Sequence, residues 1–381
     1  LTVDQPTPQT ARVRVIAYYL PQFHPIPEND QWWGAGFTEW TNVTKARPHF
    51  RGHHQPNLPA DLGFYDLRVP ETRAAQAEMA RQYGVEGFCY WHYWFAGERL
   101  LQRPFEEVLA SGQPNFPFCL GWANETWSAG MWKSGDGKKI IKEQTYPGRE
   151  DYDRHFDYLL SAFHDPRYLR VDGKPILVIY RPLKIPECRI WLDYLRELAD
   201  KNGLPGLHLI ATLNDDERDW DAKTKGFDAV TVWPLTRLTQ QAKPFQPAAR
   251  LIKSLRKIGA DPIAKVLRRA FDASEQIFDY DQIVDLLLDP GRADLPTYQM
   301  AIPNWDTTPR YGKRATVLHN STPQAFGRHL RQVIDWTLKR PANEQIIFLK
   351  SWNEWAEGNY VEPDLRFGRR YLETLRSELF R

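Results

Sequence analysis

The stretch Gln345-Ile-Ile-Phe-Leu-Lys-Ser-Trp-Asn-Glu-Trp-Ala-Glu-Gly-Asn-Tyr-Val-Glu-Pro-Asp364 passes from an apolar run straight into a polar cluster rich in tryptophan. Residues 345–350 read as a short strand buried on both faces, because the run is continuous rather than alternating. The strand stops just before Glu354 and Glu357, with Glu362 and Asp364 beyond. Two carboxylates three residues apart, at the mouth of a strand and among indoles, point to acid/base chemistry on a sugar. A solvated acidic loop would be written with the same letters. Glu362 and Asp364 read as rim or capping residues, because a helix follows and acids favour helix N-termini.

Seven more apolar runs of similar length precede this one, at residues 13–20, 85–91, 116–122, 175–180, 207–212, 228–233 and 297–302. Segments with helical spacing alternate with them, at 70–83, 104–110, 149–163, 187–202, 323–339 and 367–380. Pro70 marks one helix start, and Gly84 and Gly203 mark stops. Alternating strands and helices give a parallel sheet with covering helices. Eight units favour closure, so the expected fold is α/β, a (β/α)8 TIM barrel with long βα loops. The loop from Pro21 to about Leu67 is the longest, and a loop of that length in a compact chain is usually functional. Residues 1–12 read as a loose arm and 13–381 as one catalytic domain, with a basic helical insertion at about 237–290.

Composition narrows the function. A net charge of +2 with 26% charged residues gives no polyelectrolyte character, which argues against nucleic acid as a partner. No apolar run approaches 18 residues, so no membrane-spanning helix is expected. Cys89, Cys119 and Cys188 are too far apart for a metal-ligand pattern or a disulfide framework, and two of them sit in apolar runs as core packing. No G-x-G-x-x-G follows the first strand and there is no P-loop. No signal peptide is visible, although the chain begins at Leu1. A cytoplasmic or membrane-peripheral bacterial location is favoured, with a periplasmic or secreted one open if a leader was trimmed. Fifteen Trp and 17 Tyr exceed what a core needs, and aromatic faces stack on sugar rings.

Polar residues gather just after the strand ends: His24 and Glu39, His92, Asn124 and Glu125, Arg181, Asn214 and Asp215, Asp306 and Arg310, Glu354 and Glu357. In a barrel those loops share one face, the face that carries active sites. Each residue has a structural alternative. His24 and His92 are either satisfied structural histidines or ligand contacts. Glu125 either bonds sugar hydroxyls or caps the following turn. Arg310 with Asp306 is either a structural ion pair or a holder of substrate. Glu39 and Trp40 either serve the site or pin the long loop. No metal site is expected: there is no H-E-x-x-H, and the adjacent His53 and His54 make poor chelators. The Asp-x-Asp triplets at 151–153 and 279–281 lie in helix-like stretches rather than after a strand. Arg250, Lys253, Arg256, Lys257, Lys265, Arg268 and Arg269 are interleaved with Leu and Ile, which suits either a solvated basic face or contact with an anionic membrane through 250–269.

Four motifs carry a resemblance: Ile16-Ala-Tyr-Tyr-Leu-Pro-Gln-Phe-His-Pro-Ile-Pro-Glu-Asn-Asp30, Trp32-Trp-Gly-Ala-Gly-Phe-Thr-Glu-Trp40, Gly121-Trp-Ala-Asn-Glu-Thr-Trp127 and Trp352-Asn-Glu-Trp-Ala-Glu-Gly358. They resemble the WbsX family across roughly residues 13–375. Its members are glycoside-hydrolase-family-99-like proteins, often described as glycosyltransferases, of bacterial O-antigen and capsule gene clusters. Family 99 itself is a more distant likeness, a metal-independent retaining barrel of endo-α-mannosidases and endo-α-mannanases. That likeness implies that Glu354 helps the sugar 2-hydroxyl attack the anomeric carbon, giving a 1,2-anhydro intermediate. It implies that Glu357 is the general acid/base, and that Asn304-Trp-Asp-Thr-Thr-Pro-Arg310 is a substrate-binding loop. Ala356 departs from the His usual in family 99. The expected catalytic residues are Glu354 and Glu357, with no cofactor. The expected substrate-binding set is Tyr19, Gln22, His24, Glu39, Trp40, Trp91, His92, Trp122, Asn124, Glu125, Trp127, Trp305, Asp306, Arg310, Trp352, Asn353 and Trp355. The expected function is a retaining endo-acting glycoside hydrolase or transglycosidase on a bacterial surface polysaccharide. The alternatives are a nucleotide-sugar glycosyltransferase and a non-catalytic carbohydrate-binding barrel.

Overall fold

The structure, a computed structural model, describes residues 11–131, 139–234 and 276–381, with scattered positions between 237 and 266. Eight strands form the centre: β1 Arg14–Tyr19, β2 Gly87–Phe95, β3 Phe118–Trp122, β4 Lys174–Ile179, β5 His208–Asn214, β6 Ala229–Trp233, β7 Thr297–Ala301 and β8 Ile346–Leu349. Each pairs in parallel with its sequence neighbour, and β1 pairs with both β2 and β8. The sheet therefore closes on itself, which leaves no barrel strand with an open edge. β4 is apolar and buried on both faces, with Ile176, Leu177, Val178 and Ile179 wholly inaccessible.

Helix Pro323–Thr337 opens on Thr322, whose hydroxyl accepts from Ala325 N at 3.1 Å, with Pro323 in the first turn. Inside the barrel, Tyr18 stacks on Trp91 at 4.7 Å and on Phe348 at 5.2 Å. A Cβ on Gly121 would lie 3.1 Å from the Trp91 ring, so β3 leaves that indole its space by carrying a glycine.

Three features differ from the sequence reading. The long first loop contains two short helices, Pro27–Trp33 and Glu39–Lys45. β2 continues past Trp91 to Phe95 and turns back as a hairpin with Glu98–Leu100, because its aromatic run keeps finding apolar neighbours. Within the span taken as an irregular insertion, Gln276–Asp279 pairs in parallel with Thr316–His319, and helix Tyr280–Leu287 buries Tyr280, Ile283 and Leu287. Of the basic residues expected to face a membrane, Arg250, Lys253, Arg256, Arg268 and Arg269 lie outside the described residues, and Lys257 and Lys265 are described and exposed. Residues 1–10 of the expected arm are likewise outside. Among the described residues no helix is long and apolar enough to cross a membrane. All three cysteines are buried and free.

Candidate active site

After β8 the chain folds back on the barrel. Trp352 N donates to Tyr18 O at 2.8 Å, tying the turn to β1. Asn353–Glu354 pairs antiparallel with Asn359–Tyr360 around a 3-10 turn at Trp355–Glu357. Gly358 closes the turn at φ +55°, and a Cβ there would lie 2.8 Å from Asp306 Cβ. Both the left-handed backbone and the close approach call for glycine. The Asn353 amide exchanges hydrogen bonds of 2.8 and 3.1 Å with the Leu20 backbone. Trp355 stacks on Tyr360 at 3.8 Å, and its Nε1 donates to Glu362 at 2.7 Å. The amide and the indoles thus build a rigid platform, which leaves Glu354 and Glu357 to face the cleft.

A second platform comes from the loop after β7. Asp306 N donates to Glu357 O at 2.8 Å. The Asp306 carboxylate accepts from Gln55, from Thr308 and from His53 Nε2 at 2.7 Å. His53 Nδ1 accepts from His49 N, which turns Nε2 toward Asp306. Burial alone would raise the Asp306 carboxyl, but these donors outweigh it and hold it below the ordinary carboxylate range.

Arg310 follows, on the short helix Thr308–Tyr311. Its Nη1 lies 2.5 Å from Glu357 Oε1. Its Nη2 lies 3.1 Å from Glu354 Oε1 and 3.0 Å from Glu39 Oε1. Lys350, at the end of β8, approaches Glu354 at 3.8 Å and sits over the rings of Trp233 and Trp305. Burial raises the Glu357 carboxyl, and Glu354 adds to the rise while Arg310 and Lys350 oppose it. Burial likewise raises Glu125, against the pull of Arg181 at 3.6 Å. Carboxyls kept protonated by burial and by a like neighbour are the groups that serve as general acids.

These residues line a cleft of about 360 Å³, within the usual range for small-molecule sites. Its walls are Trp91, Tyr93, Trp127, Tyr180 and Tyr311, and its charged groups are Glu125, Arg181, Arg310, Lys350, Glu354 and Glu357. Of the residues singled out in the sequence, Trp91, Glu125, Trp127, Arg181, Arg310, Glu354 and Glu357 meet here. Glu39 reaches them only from behind, through Arg310.

The remaining candidates support the cleft or lie apart from it. Tyr19 donates to Gln76 at 2.7 Å beneath the first loop, and Gln22 is wholly buried there. His24 is also buried, and burial lowers it to about 4. Trp40 donates to Tyr65 O, which pins the long loop. His92 pairs with His155 at 2.9 Å. Trp122 is buried against Trp191 and His155. Asn124 clamps the Arg181 backbone with bonds of 2.7 and 2.9 Å, so it positions the next strand's loop. Trp305 backs Lys350, and Asn353, Trp352 and Trp355 are buried in the platform already described. Glu362 and Asp364 are buried rather than on the rim. Tyr65, Gln76 and Trp355 all donate to Glu362, while Asp364 accepts from Tyr360 and from the Phe367 backbone. Burial raises Glu362 to about 7. Asp151 sits in the first turn of helix Arg149–Phe163 and accepts from Trp94 near the end of β2. Lys350, Tyr93, Tyr180 and Tyr311 were not singled out beforehand. All but Tyr311 stand at the end of a barrel strand, which was the available signal.

The family profile described as "Glycosyltransferase WbsX" matches residues 15–375. Two curated relatives, each called "Uncharacterized protein WxcX", come from Xanthomonas campestris pv. campestris strains B100 and ATCC 33913. Each is 36% identical over 379 residues, covering 98% of this chain and 50% of the relative. The chain thus spans about half the length of the curated relatives it matches. Among solved structures, a "Glycoside hydrolase-like protein" superposes with TM-score 0.58 at 15% identity, covering 99% of this chain and 97% of the other. The GH99 endo-alpha-mannosidase from Bacteroides thetaiotaomicron superposes with TM-score 0.54 at 15% identity, covering 96% of each chain. At that identity the likeness is one of fold: a (β/α)8 barrel.

Proposed function

For this chain, which belongs to the WbsX family, we propose a retaining, endo-acting glycoside hydrolase or transglycosidase acting on a bacterial surface polysaccharide. The observation that carries the reading is the pair Glu354 and Glu357. Both come from one tight hairpin, each rests on one Nη of the buried Arg310, and both face an aromatic-walled cleft. Trp91 and Tyr180 offer faces for sugar rings, and Glu125 and Arg181 offer hydrogen bonds to hydroxyls. In the first step Glu354 takes the proton of the sugar 2-hydroxyl. The freed oxygen attacks the anomeric carbon as Glu357 gives its proton to the departing glycosidic oxygen, leaving a 1,2-anhydro sugar. In the second step Glu357 takes a proton from water or an acceptor hydroxyl, that oxygen opens the ring at the anomeric carbon, and Glu354 returns its proton to O2. Burial, which raises Glu357, favours the acid role.

The test is a panel of surface polysaccharides, each incubated with and without nucleotide sugars, with products read by mass spectrometry. Shorter oligosaccharides formed without nucleotide sugar are expected. Glu354→Gln and Glu357→Gln should each lower the rate by about 10²–10⁴-fold while the fold stays intact. Chain extension that requires a nucleotide sugar would establish transfer instead, and binding without turnover would establish a lectin-like barrel. Near-wild-type rates in either variant would refute the two-carboxylate assignment.

A further inference from the structure

We infer that Glu39 is a positioning residue for Glu357: by sharing Arg310 it sets how tightly Glu357 holds its proton. This rests on the reading of Glu357 as the general acid/base. Glu39 opens helix Glu39–Lys45 in the first long loop, and its backbone N donates to Gln22 O at 3.1 Å. Its side chain is 0% exposed and is absent from the cleft wall, so substrate does not touch it. What it meets is Arg310 Nη2, at 3.0 Å. The same nitrogen lies 3.1 Å from Glu354, and Nη1 lies 2.5 Å from Glu357.

One guanidinium therefore faces three buried carboxyls. Other charged and titratable groups surround the cluster: Lys350 at the end of β8, Tyr311 beside Arg310, Tyr93 on β2, Glu125 after β3 and Arg181 after β4. Lys350 is nearest to Glu354 at 3.8 Å, and Arg181 is spent on Glu125 at 3.6 Å. With four carboxyls (Glu39, Glu125, Glu354, Glu357) against three cations (Arg181, Arg310, Lys350), neutrality calls for one proton among the acids. A buried carboxylate without a full counter-charge takes up a proton rather than stay ionised. Burial, opposed by Arg310 and assisted by Glu354 and Glu357, raises Glu39 to about 7, which agrees with that count. When Glu39 is ionised it claims part of Arg310 and adds a like charge, so Glu357 keeps its proton. When Glu39 is neutral, Arg310 is left to Glu354 and Glu357, and Glu357 becomes the stronger acid. A carboxyl that merely anchored the loop would have no such effect on its neighbour.

The experiment reads proton occupancy rather than turnover. Glutamate side chains are labelled with ¹³C, the Glu357 and Glu39 signals are assigned by Gln substitution, and the chain is titrated between about pH 5 and 9. In Glu39→Gln the Glu357 midpoint should fall by about one pH unit, a tenfold loss of proton affinity. In Glu39→Asp, which keeps the charge, it should stay closer to the wild-type value. An unchanged Glu357 midpoint in a folded Glu39→Gln protein overturns the inference. If that variant does not fold, the wild-type signals decide: coupled movement of Glu39 and Glu357 supports the inference, and a Glu39 signal that stays flat overturns it. Coupling seen in a protein that cleaves and builds no glycan would sink the proposed function and leave the coupling standing.

Discussion

Arg310 is the residue on which the site depends, since its single charge is set against Glu39, Glu354 and Glu357 in a nearly closed environment. Removing one partner of a buried ion pair is far more disruptive than exchanging the pair for apolar groups. Arg310→Gln should therefore destabilise the fold by about 3–5 kcal/mol at neutral pH. The sign of its pH dependence follows from the carboxyls left behind. Without Arg310 the Glu39 and Glu357 carboxyls rise further above the unfolded range, so the folded state binds extra protons and regains stability as pH falls. Urea midpoints at acidic and at mildly alkaline pH would check this, and a loss equal at both would refute it. The partners of this arginine were only partly legible in the sequence. Arg310 and Asp306 are four residues apart and read as a candidate pair, yet the fold sends Asp306 to His53 and Gln55 and Arg310 to the glutamates. Such choices depend on which loops meet, and a single sequence does not encode that locally. Lys350 escaped notice for a similar reason: a lysine at a strand end reads as the first solvated residue, whereas here it is held over two indoles.

At the scale of the element, the strands were the most legible part, because a buried parallel strand writes itself as an unbroken apolar run. The runs at 175–180 and 297–302 match β4 and β7 to within about a residue, the precision at which element boundaries are defined at all. The paired strands Gln276–Asp279 and Thr316–His319 were missed, since four-residue strands with a charged or polar end carry too little pattern to separate from loop. The tight hairpin after β8 was visible as a cluster of chemistry but not as a shape. Its sharpest constraint is Gly358. Alanine there would hold a left-handed backbone, worth about 1–2 kcal/mol, and would also press on Asp306 at 2.8 Å. Because Asp306 N carries the Glu357 carbonyl, the strain should reach the site. Gly358→Ala is expected to lower both the denaturation midpoint and the rate of glycan turnover. Wild-type behaviour in both would show that the hairpin has slack that the contact distances deny.

For the whole molecule, closure of the barrel buries not only apolar strands but also many titratable groups, and their balance sets how the protein responds to acid. Burial lowers His24, His208 and His329 to about 4 and His92 to about 3, and it lowers His155 as well. Some of these rings are also committed as neutral partners: His92 faces His155 at 2.9 Å, and His208 meets the Tyr298 hydroxyl at 2.9 Å. Against them stand Glu39 and Glu362, both raised by burial to about 7. A histidine lowered in the folded state contributes stability that is lost as pH falls through its unfolded value of about 6.5. A carboxyl raised in the folded state works the other way, contributing stability below its unfolded value of about 4.3 that is lost as pH rises toward its folded one. Between about pH 5 and 6.5 the unfolded chain thus gains protons on five histidines while the folded chain gains them on Glu39 and Glu362, with the raised Glu125 and Glu357 adding to the folded side, so the unfolded chain takes up the larger number. Each proton is worth about 1.4 kcal/mol per pH unit, so stability should fall steeply on acidification from neutrality. Above about pH 8 both sets are discharged in both states, and the curve should flatten. Chemical denaturation followed by circular dichroism across this range would test it. A protein equally stable at about pH 5 and 7 would mean that the histidines are less sealed than the closed barrel makes them.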